Sequence, residues 1–185
     1  MAFSRRQLLQ RSAVAGVFLA LSSNPVLAQL ARAPRLIPWR NWSGAQTCLP
    51  LARLAPKDLD ELVQMIRQAP STIRPVGSAH SFSALVPTDG TLLSLSYFNG
   101  LLDHDPATLQ ATFAAGTPMS RMGPALKAVG QALPNMADID YQTLAGAIST
   151  STHGTGVGFT SYSGCVPGLQ LVTAQGAVLD CDAQR

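Results

Sequence analysis

Val76-Gly77-Ser78-Ala79-His80-Ser81-Phe82 is the stretch whose reading decides the fold. It follows residues 72–76, which read as a short strand ending at Gly77. Gly, Ser and Ala expose backbone N–H groups, and a run of them in a turn forms a concave nest for anionic oxygens. Gly77 can take a positive φ that other residues resist, and His80 projects a ring from the same loop. A second small-residue segment, Gly146-Ala147-Ile148-Ser149-Thr150-Ser151-Thr152-His153-Gly154-Thr155-Gly156, offers hydroxyls, glycines and a histidine for hydrogen bonds to phosphate and to the polar edge of a flat ring. Taken singly, the first also fits a strand-ending turn with a solvated histidine, and the second a plain surface loop.

Other nucleotide and nucleophile motifs are absent. There is no Gly-x-x-x-x-Gly-Lys-Ser/Thr, no Gly-x-Gly-x-x-Gly between a strand and a helix, and no Gly-x-Ser-x-Gly elbow. A nucleotide site here is neither of the Rossmann nor of the P-loop kind.

Outward from the loop, residues 56–68 give the clearest helix, because Leu59, Leu62, Val63 and Ile66 recur at i, i+3, i+4 and i+7 as one apolar stripe. Pro56 suits its first turn, Asp58, Asp60 and Glu61 complement its positive end, and Pro70 stops it. Residues 92–95 and 110–114 are strand candidates. Met119, Met122, Leu126 and Val129 predict a second helix closed by Gly130, with Pro124 moving its start to Met122 or later. Residues 143–149 are a short Ala/Gly segment that allows close backbone approach. Residues 169–173 and 177–181 flank Ala174-Gln175-Gly176 as a hairpin. His104, among Asp103, Asp105 and Pro106, reads as part of a solvent-facing turn. Helix and strand mix without regular alternation, so the class is α+β and a doubly wound sheet is disfavoured.

The N-terminus reads as an address. Ser4-Arg5-Arg6-Gln7-Leu8-Leu9 precedes an uncharged stretch over residues 12–27, and Val26-Leu27-Ala28 offers small residues at a cut site. Paired arginines before a mildly apolar run mark the twin-arginine route. Residues 1–28 are thus a twin-arginine-type signal peptide, 29–40 a linker and 41–185 a single α+β unit. The apolar run, broken by Gly16, Asn24 and Pro25, falls short of the roughly 20 residues a stable membrane span needs. The formal charge is +3, and Arg5, Arg6 and Arg11 carry all of it. The chain after Ala28 is formally neutral, with no basic cluster to form a nucleic-acid footprint. Cys48, Cys165 and Cys181 allow one disulfide with a thiol left over, or three separate thiols. No Cys-x-x-Cys lies near His80, His104 or His153, so no metal is expected.

Five segments occur in order: Asn41-Trp42-Ser43-Gly44, Pro56 with Asp60-Glu61-Leu62, residues 76–81, Leu144-Ala145-Gly146, and Thr152-His153-Gly154-Thr155-Gly156. Together, from about Asn41 to the last residue, they resemble the aldonolactone oxidases (L-gulonolactone and D-arabinono-1,4-lactone oxidase) and the related alditol oxidases of the vanillyl-alcohol-oxidase superfamily. The resemblance implies an FAD-binding domain of the p-cresol methylhydroxylase (PCMH) type, two α+β subdomains clasping an extended FAD. It implies a pyrophosphate loop over Gly77, Ser78, Ala79, His80 and Ser81, with the flavin 8α-methyl carbon attached covalently to His80. Gly146, Ser149, Thr150, Thr152, His153, Gly154 and Thr155 would line the flavin and its ribityl-phosphate arm.

It further implies a periplasmic or otherwise exported FAD-dependent oxidase. Its substrate would be the CH–OH group of a sugar lactone, with O2 or another electron acceptor as second partner. An alditol such as xylitol or sorbitol is the alternative substrate. A non-catalytic FAD-binding remnant and a periplasmic binding module without flavin are readings of other classes.

Relatives commonly have two glycines, or Gly-Ser-Gly, before the linking histidine, where this chain has Gly77-Ser78-Ala79. Ala79 restricts the loop if its φ must be positive. The family's C-terminal substrate domain is expected beyond Arg185, along with the last part of the flavin domain, so the catalytic residues stay unknown. His153 and Asp140 read as cofactor contacts.

N-terminal sequencing of exported protein is expected to start at Gln29. Replacing Arg5 and Arg6 together by Lys is expected to abolish export, read by cell fractionation.

Overall fold

A computed structural model describes residues 36–182. The leader, with Arg5, Arg6 and Ala28, lies outside the described residues, as do residues 183–185. Trp39–Arg40 (β1), at the end of the stretch read as linker, pairs antiparallel with Thr47–Cys48 (β2) around a tight turn.

The first layer is a three-stranded parallel sheet of Ala52–Leu54 (β3), Thr91–Ser94 (β5) and Ile73–Val76 (β4), in the order β3-β5-β4. The central β5 is the most enclosed, with Thr91, Leu92 and Leu93 all buried, as a parallel strand flanked on both sides requires. β4 carries Pro75, which an edge strand tolerates. Between β3 and β4 runs the helix Leu59–Gln68 (α1).

The sequence places Pro56 in the first turn of α1, but the helix starts at Leu59. Asp58 is its cap and accepts the Glu61 N–H at 2.8 Å, while Glu61 reaches back to the Lys57 N–H at 2.7 Å. Pro56 therefore stands before the cap, buried. Leu62 is the buried member of the predicted stripe. At the far end, Arg67 donates to the carbonyls of Gln175 and Gly176 at 3.3 and 3.1 Å.

Leu101–Asp105 (β6) and Gln110–Phe113 (β7) form an antiparallel hairpin with a bulge between Leu101 and Asp103. His104 lies within β6 opposite Ala111, and the turn begins at Pro106, so Asp103, His104 and Asp105 belong to the strand and not to the turn. Asp105 braces that turn. Hydrogen bonds from the Thr108 hydroxyl, then from the Ala107 and Thr108 N–H groups, hold its carboxyl below the usual carboxylate range. The brace is fully present above the ordinary carboxylate value of about 4 and is lost as pH falls through the lowered one.

The second layer centres on Met119–Ala128 (α2) and Leu144–Ser149 (α3). Pro124 does not push the start of α2 to Met122. The first-turn N–H groups of Met119 and Ser120 are taken by the carbonyls of Gln142 and Asp140, so the chain is held helical upstream of the proline. The Ala/Gly segment, read only as close-approach backbone, is the helix α3, capped by Thr143. Ala147 in α3 packs into a core with Met119, Met122 and Tyr162, bordered by Phe113, Leu133 and Leu144. Tyr162 opens a 3-10 turn, Tyr162–Cys165.

Gly168–Val172 (β8) and Val178–Asp182 (β9) are the predicted hairpin, in register from Gly168↔Asp182 to Val172↔Val178. Its turn closes with Gly176 N–H to Thr173 O at 2.9 Å, and Gly176 has φ 71°. Cys48, Cys165 and Cys181 are unpaired. No helix among the described residues is long and apolar enough to cross a membrane.

Thr117 joins the two hairpin ends to α3. Fully buried, it donates its hydroxyl to Ala114 O at 2.6 Å, accepts the Gly100 N–H at 2.9 Å, and offers its carbonyl to the Leu144 N–H at 2.8 Å. Thr117→Val keeps the shape but strands the Gly100 N–H and leaves the Ala114 carbonyl with the Thr117 N–H alone. It is expected to cost about 1–3 kcal/mol in urea unfolding.

Candidate functional site

The loop after β4 is held by the turn between β1 and β2. Four successive carbonyls of the loop all accept from that turn. The Trp42 N–H donates to Ala79 O at 3.1 Å, the Trp42 indole N–H to His80 O at 2.9 Å, the Asn41 amide to Ser81 O at 3.0 Å, and the Gln46 amide to Phe82 O at 3.3 Å. Asn41 is only 2 % exposed, and its Oδ1 is occupied as well, accepting from the Gln46 N–H at 3.0 Å and from Ser43 Oγ at 3.2 Å.

The donors of the loop, by contrast, are open. Among the described residues the backbone N–H groups of Ser78, Ala79, His80 and Ser81 donate to nothing. A row of unpaired donors on a fixed loop suits phosphate oxygens.

The backbone corrects one reading and sharpens another. Gly77 does not take a positive φ. It is needed because a Cβ there would run into Thr143 Oγ1, the capping oxygen of α3. The left-handed residue is Ala79, at φ 58°. For an L-residue with a Cβ that conformation costs roughly 1–2 kcal/mol, and here the Trp42 bond to the Ala79 carbonyl helps to hold it.

The loop meets the residues that lead into the second segment. Gly77 lies against Thr143, and the ring of Tyr141 is parallel to that of His80 within 3°, with centroids 6.4 Å apart. The Trp42 indole stacks on His80 at 4.6 Å and 16°, and Phe82 meets Trp42 edge-on at 5.4 Å.

Within the second segment the hydroxyls divide in two. Thr150 donates to Gly146 O at 2.9 Å and lies 3.3 Å from Thr152, whose oxygen also accepts from Gln142 at 2.8 Å. These two close the segment upon itself. Ser149, Ser151 and Thr155 make no side-chain hydrogen bond among the described residues and are exposed. The Gly146 N–H is taken by the Thr143 cap at 3.3 Å. The carbonyl of Asp140 receives the Ser120 N–H. Exposed His153 turns Nδ1 to Gly154 O at 2.7 Å, and Gly154 fits tightly against Asn135 and the Met136 carbonyl. Beside them is a cavity of about 150 Å³ lined by Asn135, His153, Phe159, Tyr162 and Cys165 among others. That is below the roughly 300–1,000 Å³ of ordinary ligand pockets.

Composition and spacing passed over Asn41, Gln46, Tyr141 and Thr143 as site residues. Asn41 and Trp42 entered only as part of an ordered motif. The one local signal was Asn41-Trp42-Ser43-Gly44 itself, a polar turn with an unexplained indole.

A small parallel sheet with a donor-rich loop at the end of its edge strand, followed along the chain by two more helices and two hairpins, is the fold of an FAD-binding domain of the PCMH type. Solved structures agree in fold. Cholesterol oxidase from B. sterolicum superposes with a TM-score of 0.65 at 20% identity, covering 80% of this chain and 32% of that one. A BBE-like 1 variant from Physcomitrella patens gives 0.66 at 21%, covering 74% and 31%.

The family described as FAD binding domain matches residues 50–182, and the chain belongs to it. Its curated relatives include the L-gulono-1,4-lactone dehydrogenase of Mycobacterium tuberculosis, 40% identical over 144 residues, which are 76% of this chain and 34% of that protein. The L-gulonolactone oxidase of Bos taurus is 30% identical over 148 residues, 78% and 34%. The D-arabinono-1,4-lactone oxidase of Kluyveromyces lactis is 31% identical over 154 residues, 80% and 29%. The chain spans about a third of the length of these relatives.

Ala79→Gly is expected to relieve the left-handed strain, partly offset by a looser unfolded chain. The net gain should be on the order of 0.5–1 kcal/mol in denaturant unfolding, with the loop bonds to Trp42 intact.

Proposed function

We propose that the complete protein is an exported FAD-dependent oxidase that oxidises a CH–OH group of a sugar lactone, of the D-arabinono-1,4-lactone or L-gulonolactone type. In this reading the described residues form the part that holds FAD. The observation that carries the proposal is the loop 78–81, with four N–H donors open and the carbonyls of Ala79, His80 and Ser81 tied down. The relatives' names supply the substrate class.

The Ser78, Ala79, His80 and Ser81 N–H groups would bind the pyrophosphate, and Gly77 lets the loop lie against Thr143. Ser149 and Thr155 have hydroxyls available for the ribityl-phosphate arm. Thr150 and Thr152 hold that segment in shape, and His153 and Gly154 border it. His80 would carry the covalent link to the 8α-methyl carbon, since it stands on the donor loop itself, whereas His104 lies on an outer hairpin strand. Bound FAD would supply the two-electron acceptor for the substrate's hydride, and a link to an imidazole draws electron density from its ring and makes it a better acceptor. Export through the twin-arginine route, which carries folded proteins, fits a protein that takes up its cofactor before crossing the membrane.

The electron acceptor has a second reading. The 40% identical relative is named a dehydrogenase and the others oxidases, which favours comparing O2 with an artificial acceptor in the same assay.

Acid-precipitated full-length protein is expected to show flavin fluorescence at the protein band of a denaturing gel. His80→Ala should lose that signal, still bind FAD reversibly through the loop N–H groups, and turn over about tenfold more slowly, a barrier change of ~1.4 kcal/mol. Flavin released by acid from the unmutated protein, or retained by His80→Ala, would refute the link. Lactone-dependent electron transfer to O2 or dye, measured against a panel that includes alditols, tests the substrate class.

A further inference from the structure

His80 is accompanied by more aromatic surface than the fold needs. Trp42 is 55 % exposed and Tyr141 70 % exposed, so neither is there to fill a core. Trp42 is nevertheless fixed with care. Its backbone N–H holds Ala79 O, its indole N–H holds His80 O, its ring face lies on the imidazole, and Phe82 abuts it edge-on. A donor bond to the carbonyl of the very residue whose ring it covers ties the plane of the indole to the His80 backbone. The stacked imidazole then loses its freedom to rotate about the Cβ–Cγ bond. One face is covered, and among the described residues the ring nitrogens make no hydrogen bond.

We propose that Trp42 is the positioning residue of the flavin link: by stacking on His80 it fixes the imidazole plane so that an in-plane nitrogen lone pair meets the 8α carbon. This rests on the His80 link proposed above. In the attachment itself an N–C bond forms, one proton leaves the 8α-methyl group and one leaves the imidazole N–H. The two electrons so released reduce the isoalloxazine, and dioxygen removes them as hydrogen peroxide. Bond formation needs the lone pair in line with the carbon, so a freely turning ring spends most of its time unproductive. The parallel Tyr141 ring borders the same imidazole but makes no bond that fixes it.

The test uses full-length apoprotein made under riboflavin limitation, then given FAD. Reversible binding is followed by quenching of FAD fluorescence, and attachment by the growth of acid-stable flavin with time. Trp42→Leu is expected to bind FAD within about threefold of the parent yet to attach it roughly tenfold more slowly or worse, while Trp42→Phe, which restores a ring, recovers most of the rate. Trp42→Gln keeps a side-chain donor for the His80 carbonyl but has no ring. It should be as slow as the leucine variant, and it serves in its place if that variant does not fold.

Attachment at the parental rate in a ringless variant overturns the proposal. So does a loss of FAD binding in step with the loss of attachment, because Trp42 would then only support the loop. If the parent itself releases its flavin in acid, the His80 link fails and this role fails with it. A linked parent and equally fast ringless variants overturn the role of Trp42 alone.

Discussion

One buried amide organises the site. Asn41 is enclosed between β1 and β2 with both ends of its side chain engaged, and through its NH2 it fixes the Ser81 carbonyl. A buried amide left half-satisfied costs more than a typical hydrogen bond contributes, so the turn and the loop have little freedom to separate. The Trp42 and Gln46 bonds extend the same attachment to the neighbouring carbonyls. The Ala79 and His80 carbonyls share their peptide units with the His80 and Ser81 N–H groups, so tying them toward the turn leaves those two N–H groups facing away from it. That half of the donor row is therefore a by-product of how the loop is anchored. It does not depend on the side chains of Ser78 or Ser81.

What the sequence disclosed follows how local each feature is. The helix α1 and the β8–β9 hairpin are written in contiguous residues: Leu59, Leu62, Val63 and Ile66 at helical spacing, and Gly176 at the left-handed position of a tight turn. The strands β1, β2 and β3 have two or three residues each and carry no periodicity to read. The parallel pairing of β3 and β4 with β5 is set by contacts far apart in the chain. Pro124 misled because proline is a local signal, whereas the start of α2 is decided by carbonyls at Asp140 and Gln142. The helix α3 was hidden by its own composition, since glycine and β-branched residues lower helix propensity and a Thr143 cap with tertiary packing of Ala147 outweighs it.

The surroundings of the loop depend on pairs that are distant in the chain. The loop 77–81 meets Tyr141 and Thr143, which stand just ahead of the second segment, and Thr143 in turn caps the helix in which that segment begins. Glycine's conformational freedom was credited to Gly77 where its small size is what matters, and the unusual backbone angle fell to Ala79 instead. The hydroxyl-rich appearance of the second segment overstated its open donors, because Thr150 and Thr152 bond within the segment. Such partners depend on three-dimensional approach, which residue counts do not encode.

The β8–β9 hairpin has a consequence for handling the chain. Its alternation puts Leu169, Leu171 and Leu179 on one side, all substantially exposed, while Gln170 and Asp180 bond to each other on the other. Among the described residues neither strand has a further neighbour in its sheet. Unpaired strand edges beside an oily strip are a recipe for self-association and precipitation. The hairpin of this segment therefore offers both an open strand edge and an apolar face to a second copy of itself.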